Sequence, residues 1–140
     1  MIIRIKKLRP DAKVPSYAHH DDAGCDFFAV EKTEVKAGER AMVPTGIAME
    51  IPEGFVGLVW DKSGISAKHG IKTVAGVVDS GYRGEILIAV ANISDTDYVF
   101  EKGHKVAQMV IQRKETGEFE EVDELSETKR GKDGFGSTGA

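Results

Sequence analysis

The sequence predicts an all-β fold, a sandwich or jelly-roll-like barrel with one short helix. Short stretches with β-branched or alternating apolar residues recur along the chain, and turn sequences such as KAGER, PEG, DSGY and EKGH separate them. Strands at this spacing are typical of antiparallel sandwiches and barrels. Helical periodicity is nearly absent outside one segment, which supports the same fold class.

Nine stretches are predicted to contain strands. In chain order they are MIIRIKKL, CDFFAV, ERAMVP, GIAMEIP, FVGLVW, IKTVAGVV, EILIAVANI, DYVF and KVAQMVIQ. The helix candidate is SGISAKHG, which lies between the fifth and sixth stretches. We expect Ser63 to cap its start and Gly70 to end it after about two turns.

Composition limits the class of protein. The chain has 140 residues, of which 41% are hydrophobic and 30% charged, enough for one domain with a core. A formal charge of −4 makes stable binding to nucleic acid or anionic membranes unexpected. Cys25 is the one cysteine, so an internal disulfide is excluded. With no leader-like or membrane-length apolar segment, we expect a cytoplasmic protein.

The composition changes near the C-terminus. Residues 115–127 contain seven acidic side chains and no lysine or arginine, which indicates a solvated strand and linker. Residues 129–140 are glycine-rich and too poor in apolar side chains to offset the backbone entropy of ordering. We therefore expect a β-domain over residues 1–128 and a mobile C-terminal tail over residues 129–140.

The segment GVVDSGYRGEI, residues 76–86, is predicted to form a tight hairpin. Two apolar strand ends would be joined through Asp79, Ser80 and Gly81, with Gly81 free to adopt positive φ. Asp79 is either a turn-forming residue or a carboxylate with a chemical role. Tyr82, at the start of the returning strand, is either a cross-strand packing residue or a platform for a ligand.

The start of the helix candidate resembles an anion site. Ser63, Gly64 and Ile65 offer free backbone N–H groups there, and a phosphate would fit them. Lys62 adds a positive charge, whereas Asp61 beside it does not favour anion binding. An N-capped surface helix explains the same residues equally well.

Two polar side chains interrupt predicted strands. Gln108 shares a strand face with Val106 and Val110, and burying its amide without a partner would cost about 1 to 3 kcal/mol. It therefore requires either a backbone partner or a ligand. Asp26 lies within the apolar stretch CDFFA and requires a cation or a hydrogen-bond donor.

Five stretches, in this order, resemble the five motifs of the trimeric dUTPase family: AGCDFFA, DKSGISAKHG, GVVDSGYRGEI, GHKVAQMVI and RGKDGFGSTG. They cover almost the whole chain, and the third and fifth are long and specific. The resemblance implies a homotrimeric β-sandwich or jelly roll with active sites between subunits. It also implies hydrolysis of dUTP to dUMP and pyrophosphate with Mg²⁺, which limits uracil in DNA and supplies dUMP for thymidylate synthesis.

The resemblance implies a role for each matching residue. Asp79 would activate the attacking water, and Tyr82 would lie beneath the deoxyribose and leave no space for a 2′-hydroxyl. Asp26 would reach the metal through its waters. Phe135 would stack on uracil as part of a lid formed by the tail. The substrate-contacting positions are Lys62, Ser63, Gly64, Ala75, Gly76, Val77, Val78, Asp79, Tyr82, Gln108, Arg130, Phe135, Gly136, Ser137 and Thr138.

The second motif departs from the family pattern at two positions. Lys62 stands where the family usually has arginine, and Asp61 stands where proline is common. Lysine keeps the positive charge but lacks the bidentate geometry of arginine.

Two alternatives to this function remain on sequence grounds. A dCTP deaminase or bifunctional deaminase-hydrolase would share the fold, although the acidic residue of GVVDSGYRGEI argues against it. A catalytically inactive nucleotide-binding or regulatory trimer would need only the loss of one functional residue.

Overall fold

The structure is a computed structural model that describes residues 1–133. Over this range the chain forms eleven strands and one helix. In order they are β1 (Arg4–Lys7), β2 (Cys25–Phe28), β3 (Thr33–Val35), β4 (Arg40–Pro44), β5 (Ile47–Glu50), β6 (Phe55–Asp61), α1 (Ser63–His69), β7 (Ile71–Thr73), β8 (Val77–Asp79), β9 (Leu87–Asn92), β10 (Tyr98–Phe100) and β11 (Lys105–Arg113). The predicted all-β fold with one short helix is confirmed.

The strands form four antiparallel sheets, of which two position the candidate site. The first sheet has the order β2-β11-β6-β8, and the second has the order β4-β9-β7. Two smaller sheets pair β1 with β5 and β3 with β10. In the first sheet β11 is hydrogen-bonded on both sides, so that Gln108 lies opposite Asp26 of β2 and opposite Trp60 of β6.

One hydrophobic core lies between these sheets. Along β9, Ile88, Val90 and Asn92 are buried and alternate with more exposed residues, as expected for a strand with one face on the core. Gly57 lets β6 pack closely over this core, because a Cβ there would lie 2.7 Å from the sulfur of Met109. The largest fully buried apolar side chains are Phe27, Val30, Val35, Val43, Ile47, Ile51, Ile88, Val90, Phe100 and Met109.

Each of the nine predicted stretches contains a strand, with two differences in detail. IKTVAGVV contains both β7 and β8, because the chain leaves one sheet after Thr73 and enters the other at Val77. The three-residue strand β3 was not predicted, since it is short and has an exposed glutamate at its centre. In contrast to the predicted solvated strand, residues 114–127 form no strand and are exposed.

Helix α1 begins differently from the prediction. Lys62, not Ser63, occupies the N-cap position, and no side chain caps the helix. The carbonyl of Lys62 accepts the N–H groups of Ile65 and Ser66, so Ser63 is already the first helical residue. Gly70 ends the helix in the left-handed conformation at φ 66°, as predicted. In residues 1–133 no helix is long and apolar enough to cross a membrane.

The predicted hairpin over residues 76–86 is wrong. β8 pairs with β6, whereas the chain after the turn crosses to the second sheet, where β9 pairs with β4 and β7. Tyr82 is therefore a turn residue, and its N–H bonds to the carbonyl of Asp79 at 3.1 Å. Gly81 does not adopt positive φ. Pairing with distant strands, which local turn chemistry does not reveal, separates the two halves of this segment.

Asn92 is a buried polar residue that connects β9 to β3 and to the loop between β9 and β10. Its side chain is 1% exposed. Its Nδ2 donates to the carbonyls of Val35 at 3.1 Å and Thr96 at 2.7 Å. Its Oδ1 accepts from the Ser94 backbone N–H at 3.0 Å and the Ser94 hydroxyl at 2.7 Å. The amide thus satisfies backbone groups that water does not reach.

We predict that Asn92→Ala lowers the free energy of unfolding by about 2 to 4 kcal/mol, because it leaves several buried groups without partners. Urea denaturation measures this change. Ser94→Ala is the matched control, since it removes only a hydroxyl at the edge of the same network and should cost about 1 kcal/mol or less. Equal losses in the two variants would contradict a special role for the buried amide.

Candidate active site

Asp79 and Tyr82 line one cavity of about 250 Å³, which we call the turn cavity. Asp79 is the last residue of β8 and is exposed. The turn that follows is closed by the Asp79 backbone carbonyl, not by its carboxylate. The carboxylate is therefore available to a bound molecule or to water. The rest of the cavity wall comes from Met42, Val77, Val78, Glu85, Ile86 and Leu87.

The Tyr82 ring is held in place by its own loop. Its hydroxyl donates to the carbonyl of Glu85 at 2.9 Å, and the side chain remains 46% exposed. A Cβ on Gly84 would lie 2.4 Å from the tyrosine hydroxyl oxygen, so only glycine leaves space for this arrangement. Tyr82 is therefore not a cross-strand packing residue. Gly84, which sequence reasoning missed, is required because the loop folds back on itself.

Residues 74–76 connect β7 to β8, and together with the flanking strand residues Thr73 and Val77 we call them the arc. The N–H of Val74 donates to Ala89 at 3.1 Å, and the carbonyl of Gly76 accepts from Val59 at 2.8 Å. A Cβ on Gly76 would lie 2.8 Å from the Val59 carbonyl oxygen, so the close approach requires glycine. The arc is thus a firmly attached loop on which Ala75 and Val77 are exposed.

A second cavity of about 400 Å³, which we call the helix cavity, lies at the start of α1. Ser63 and Gln108 line it together with Trp60, Asp61, Ser66 and Ala67. The Nε2 atom of Gln108 donates to the Asp61 carbonyl at 2.8 Å, so the required partner of this amide is a backbone group. Gly64 is exposed, and a Cβ there would contact nothing within 4 Å. The entrance to the helix start is therefore open.

Asp26 lies between two lysines. Its side chain is almost fully buried, and it accepts Lys62 Nζ on Oδ1 and Lys105 Nζ on Oδ2, both at 2.6 Å. Burial alone would raise the pKa of Asp26, but the hydrogen bonds and charges of Lys105 and Lys62 outweigh it and hold the pKa below its usual value. Asp26, which was predicted to require a cation or a hydrogen-bond donor, thus has two lysine partners. Sequence reasoning missed Lys105, because only the strand register brings it to Asp26.

The carboxylate of Asp61, a residue that also lines the helix cavity, is bound by two residues of β7. Its Oδ1 accepts the Thr73 N–H at 2.6 Å and the Thr73 hydroxyl at 2.9 Å, and its Oδ2 pairs with Lys72. Burial would raise the pKa of Asp61, but Lys72 and Thr73 outweigh it and lower the pKa. The negative charge of Asp61 on β6 is therefore compensated by the positive charge of Lys72 on β7. It therefore does not oppose an anion at the helix cavity.

The predicted site residues are spread over the turn cavity, the helix cavity and a third cavity, which contains Ala75 and Gly76 and shares Val77 with the turn cavity and Asp61 with the helix cavity. The turn cavity and the helix cavity share no lining residue. Arg130 is exposed, and its Nε donates to the carbonyl of Asp133 at 2.9 Å, within its own segment. Phe135, Gly136, Ser137 and Thr138 lie outside the described residues. A single chain thus does not bring the predicted catalytic and phosphate-contacting residues into one cavity.

The described residues provide little for direct coordination of a metal ion. No group of three or more His, Cys, Asp and Glu side chains in residues 1–133 is placed to hold one. Mg²⁺ usually keeps several waters and takes other ligands from substrate phosphates, so it does not need such a cage. Both oxygens of the buried Asp26 carboxylate are occupied by Lys62 and Lys105, so Asp26 would contact a Mg²⁺-bound water only after one of these ammonium groups has moved away.

Comparison with known proteins identifies the family. The dUTPase family model matches residues 10–139. A deoxyuridine 5′-triphosphate nucleotidohydrolase of Thermobifida fusca is 46% identical over 98% of this chain and 78% of that protein. The corresponding protein of Clostridium tetani is 45% identical over 98% of this chain and 96% of its own length.

A solved structure agrees with these relatives. The dUTPase of Staphylococcus bacteriophage 80alpha, in a mutant form with dUpNHpp, superposes with a TM-score of 0.93 at 32% identity and covers 99% of both chains. The family resemblance predicted from the five motifs is therefore confirmed. Since both the family model and these relatives extend over nearly the whole chain, the protein belongs to the dUTPase family.

Proposed function

We propose that the protein hydrolyses dUTP to dUMP and pyrophosphate, by attack of water on the α-phosphate, with Mg²⁺ as cofactor. The observation that carries this proposal is the exposed Asp79 carboxylate beside the open Tyr82 ring in one cavity. It occurs in a chain whose relatives are named deoxyuridine 5′-triphosphate nucleotidohydrolases.

Asp79 acts as the general base in this proposal. It stands at the end of a short strand hydrogen-bonded to β6, so its position is set by the sheet. A carboxylate held near the α-phosphate accepts a proton from water as the oxygen attacks phosphorus. The pyrophosphate then leaves on the opposite side.

The turn cavity and the arc recognise the nucleoside. Backbone groups of residues 75–78 pair with the edge of uracil, at a loop whose hydrogen bonds to Val59 and Ala89 hold its backbone in place. The Tyr82 ring lies beneath the deoxyribose, where a 2′-hydroxyl would collide with it. Selection thus depends on backbone geometry and on one aromatic face.

The helix cavity binds the phosphates. The backbone N–H groups at Ser63 and Gly64 point to the open start of α1, and the Ser63 hydroxyl and Gln108 amide line the same cavity. Lys62 is paired with Asp26 in the free protein and would transfer to a phosphate when substrate binds. Lys105 would then keep the buried Asp26 charge balanced. Mg²⁺ supplies charge neutralisation on the phosphate oxygens, and Asp26 would contact its bound water.

We further propose a cytoplasmic homotrimer whose active sites lie between subunits. The separation of the turn cavity from the helix cavity in one chain supports this, because the turn cavity of one subunit would face the helix cavity of another. The β-domain spans residues 1–128, and residues 129–140 close over the substrate. Phe135 stacks on uracil, and Arg130, Ser137 and Thr138 approach the phosphates, with Gly136 between them. Stacking on a base contributes about 1 to 3 kcal/mol.

We predict that Asp79→Asn reduces turnover of dUTP by at least about 100-fold, because the amide does not accept the proton of the attacking water. Pyrophosphate release measures turnover, and calorimetry with a non-hydrolysable dUTP analogue measures affinity. The affinity should stay within a few-fold of the wild-type value. Asp95→Asn, at another exposed turn, is the matched control and should retain full turnover. Substantial turnover in Asp79→Asn would show that another group activates the water.

Tyr82 should determine the preference for deoxyribose. We predict that the wild-type protein hydrolyses dUTP far faster than UTP, and that Tyr82→Ala narrows the ratio of their kcat/KM values by about 10-fold or more. Tyr82→Phe keeps the ring and should keep most of the preference. Comparable kcat/KM values for dUTP and UTP in the wild type would contradict the proposal that Tyr82 excludes the 2′-hydroxyl.

The tail should act on a site that contains Asp79 of another subunit. One variant carries Asp79→Asn with an intact tail, and the other keeps Asp79 but ends at Thr128. Each alone should be nearly inactive, whereas trimers mixed by co-refolding should regain activity, because some sites then combine a tail from the first with Asp79 from the second. Verified mixed trimers that stay inactive would mean that each tail closes over its own chain's Asp79.

A further inference from the structure

Asp61 bridges two sheets through its side chain. It is the last residue of β6 in the first sheet, and its partner Thr73 is the last residue of β7 in the second sheet. The two donors of Thr73 reach one carboxylate oxygen at 2.6 and 2.9 Å, and Lys72 pairs with the other. The Asp61 side chain is 14% exposed, whereas Lys72 is 46% exposed. The bonds from Thr73 are therefore the better protected part of the bridge.

This bridge lies where the arc begins. The arc leaves β7 immediately after Thr73, and its far end joins β8, which pairs with β6 at Val77 opposite Leu58. Asp61 and Leu58 belong to the same strand, so β6 holds the arc at both ends. The arc and this part of β6 enclose the third cavity, of about 340 Å³. Loss of the Asp61 bonds would leave this end of the arc held only by the pairing of β7 with β9 and by the Val74 hydrogen bond to Ala89, so that it is held less tightly on the β6 side.

We propose that Asp61 is a positioning residue for base recognition, which acts through Thr73 to fix the backbone of the arc. The inference rests on the proposed function, in which backbone groups of residues 75–78 pair with uracil. Backbone recognition tolerates little displacement, because each hydrogen bond requires a fixed distance and angle. Asp61 thereby contributes to discrimination between uracil and other bases.

Variants of the Asp61 side chain separate an effect on base recognition from an effect on phosphate binding. Gln108 bonds to the backbone carbonyl of Asp61, and this bond survives any change of the Asp61 side chain. A side-chain variant therefore loosens the arc while it leaves the amide at the helix cavity in place. Changes in base recognition are then distinguishable from changes in phosphate binding.

The experiment compares Asp61→Ala and Asp61→Asn with the wild type. For Asp61→Ala we expect KM for dUTP to rise about 10-fold with kcat changed less than about 3-fold, and the preference for dUTP over dCTP and dTTP to fall about 10-fold. Asp61→Asn keeps an oxygen that accepts from Thr73 and should restore both quantities to within about 3-fold. Calorimetric binding of dUMP without Mg²⁺, a readout independent of turnover, should weaken in Asp61→Ala by a factor similar to that of KM.

Asp97→Ala is the matched control. Asp97 also accepts a backbone N–H, from Ala37 at 2.9 Å, and a lysine, Lys36 at 2.8 Å, but it lies beside β3 and β10, away from the arc. Its loss should change thermal stability without changing base preference. If Asp61→Ala changes only thermal stability, as Asp97→Ala does, the proposal is wrong.

Two further outcomes are decisive. If Asp61→Ala does not fold, Thr73→Val tests the proposal instead, because this variant removes only the hydroxyl donor to Asp61. We expect the affinity of Thr73→Val for dUMP to fall about 2- to 5-fold. Unchanged dUMP affinity and base preference in Thr73→Val would overturn the proposal. If the wild type does not hydrolyse dUTP, the proposed function fails. Wild-type hydrolysis of dUTP with unaltered KM, base preference and dUMP affinity in Asp61→Ala overturns the role of Asp61 alone.

Discussion

The antiparallel pairing of β11 with both β2 and β6 is the constraint on which the candidate site depends. It places Gln108 opposite Asp26 on one side and opposite Trp60 on the other. The register between β11 and β2 is irregular between Lys105 and Ala107, and Lys105 Nζ contacts the Asp26 carboxylate at this point. A register shift of one residue would turn every side chain of β11 to the opposite face of the sheet. The burial of its apolar residues therefore also determines the face on which its polar residues lie.

The charged residues around this sheet are balanced before any substrate arrives. Asp26 is compensated by Lys62 and Lys105, and Asp61 by Lys72 and Thr73. An uncompensated buried carboxylate would be costly, which explains why each has more than one partner. Neither buried carboxylate is therefore left without a compensating charge inside the domain. Lys62 is also the N-cap residue of α1.

Much of the fold was predictable because strand and turn signals are local. Alternating apolar residues predicted the strands, and Gly70 predicted the end of α1. Apart from the cap of α1 and the conformation of Gly81, which are local details, the errors in strand pairing have one physical cause, which is that pairing partners are distant in sequence. The residues after Asp79 pair with β4 and β7 instead of returning along β8, and the weak three-residue strand β3 is stabilised by its pairing with β10. Local propensity carries no information about such partners.

The amino-acid sequence by itself determined the all-β class, the family and the identity of the residues proposed to act, because these depend on residue type and order along the chain. Only the tertiary structure decided their surroundings. In the folded chain Gln108 bonds to a backbone carbonyl, Asp26 pairs with two lysines, and the Tyr82 hydroxyl bonds to the Glu85 carbonyl beside Gly84. The turn cavity and the helix cavity have no lining residue in common. These contacts join residues as far apart as Asp26 and Lys105, so they exist only once strand register and core packing have brought distant segments together.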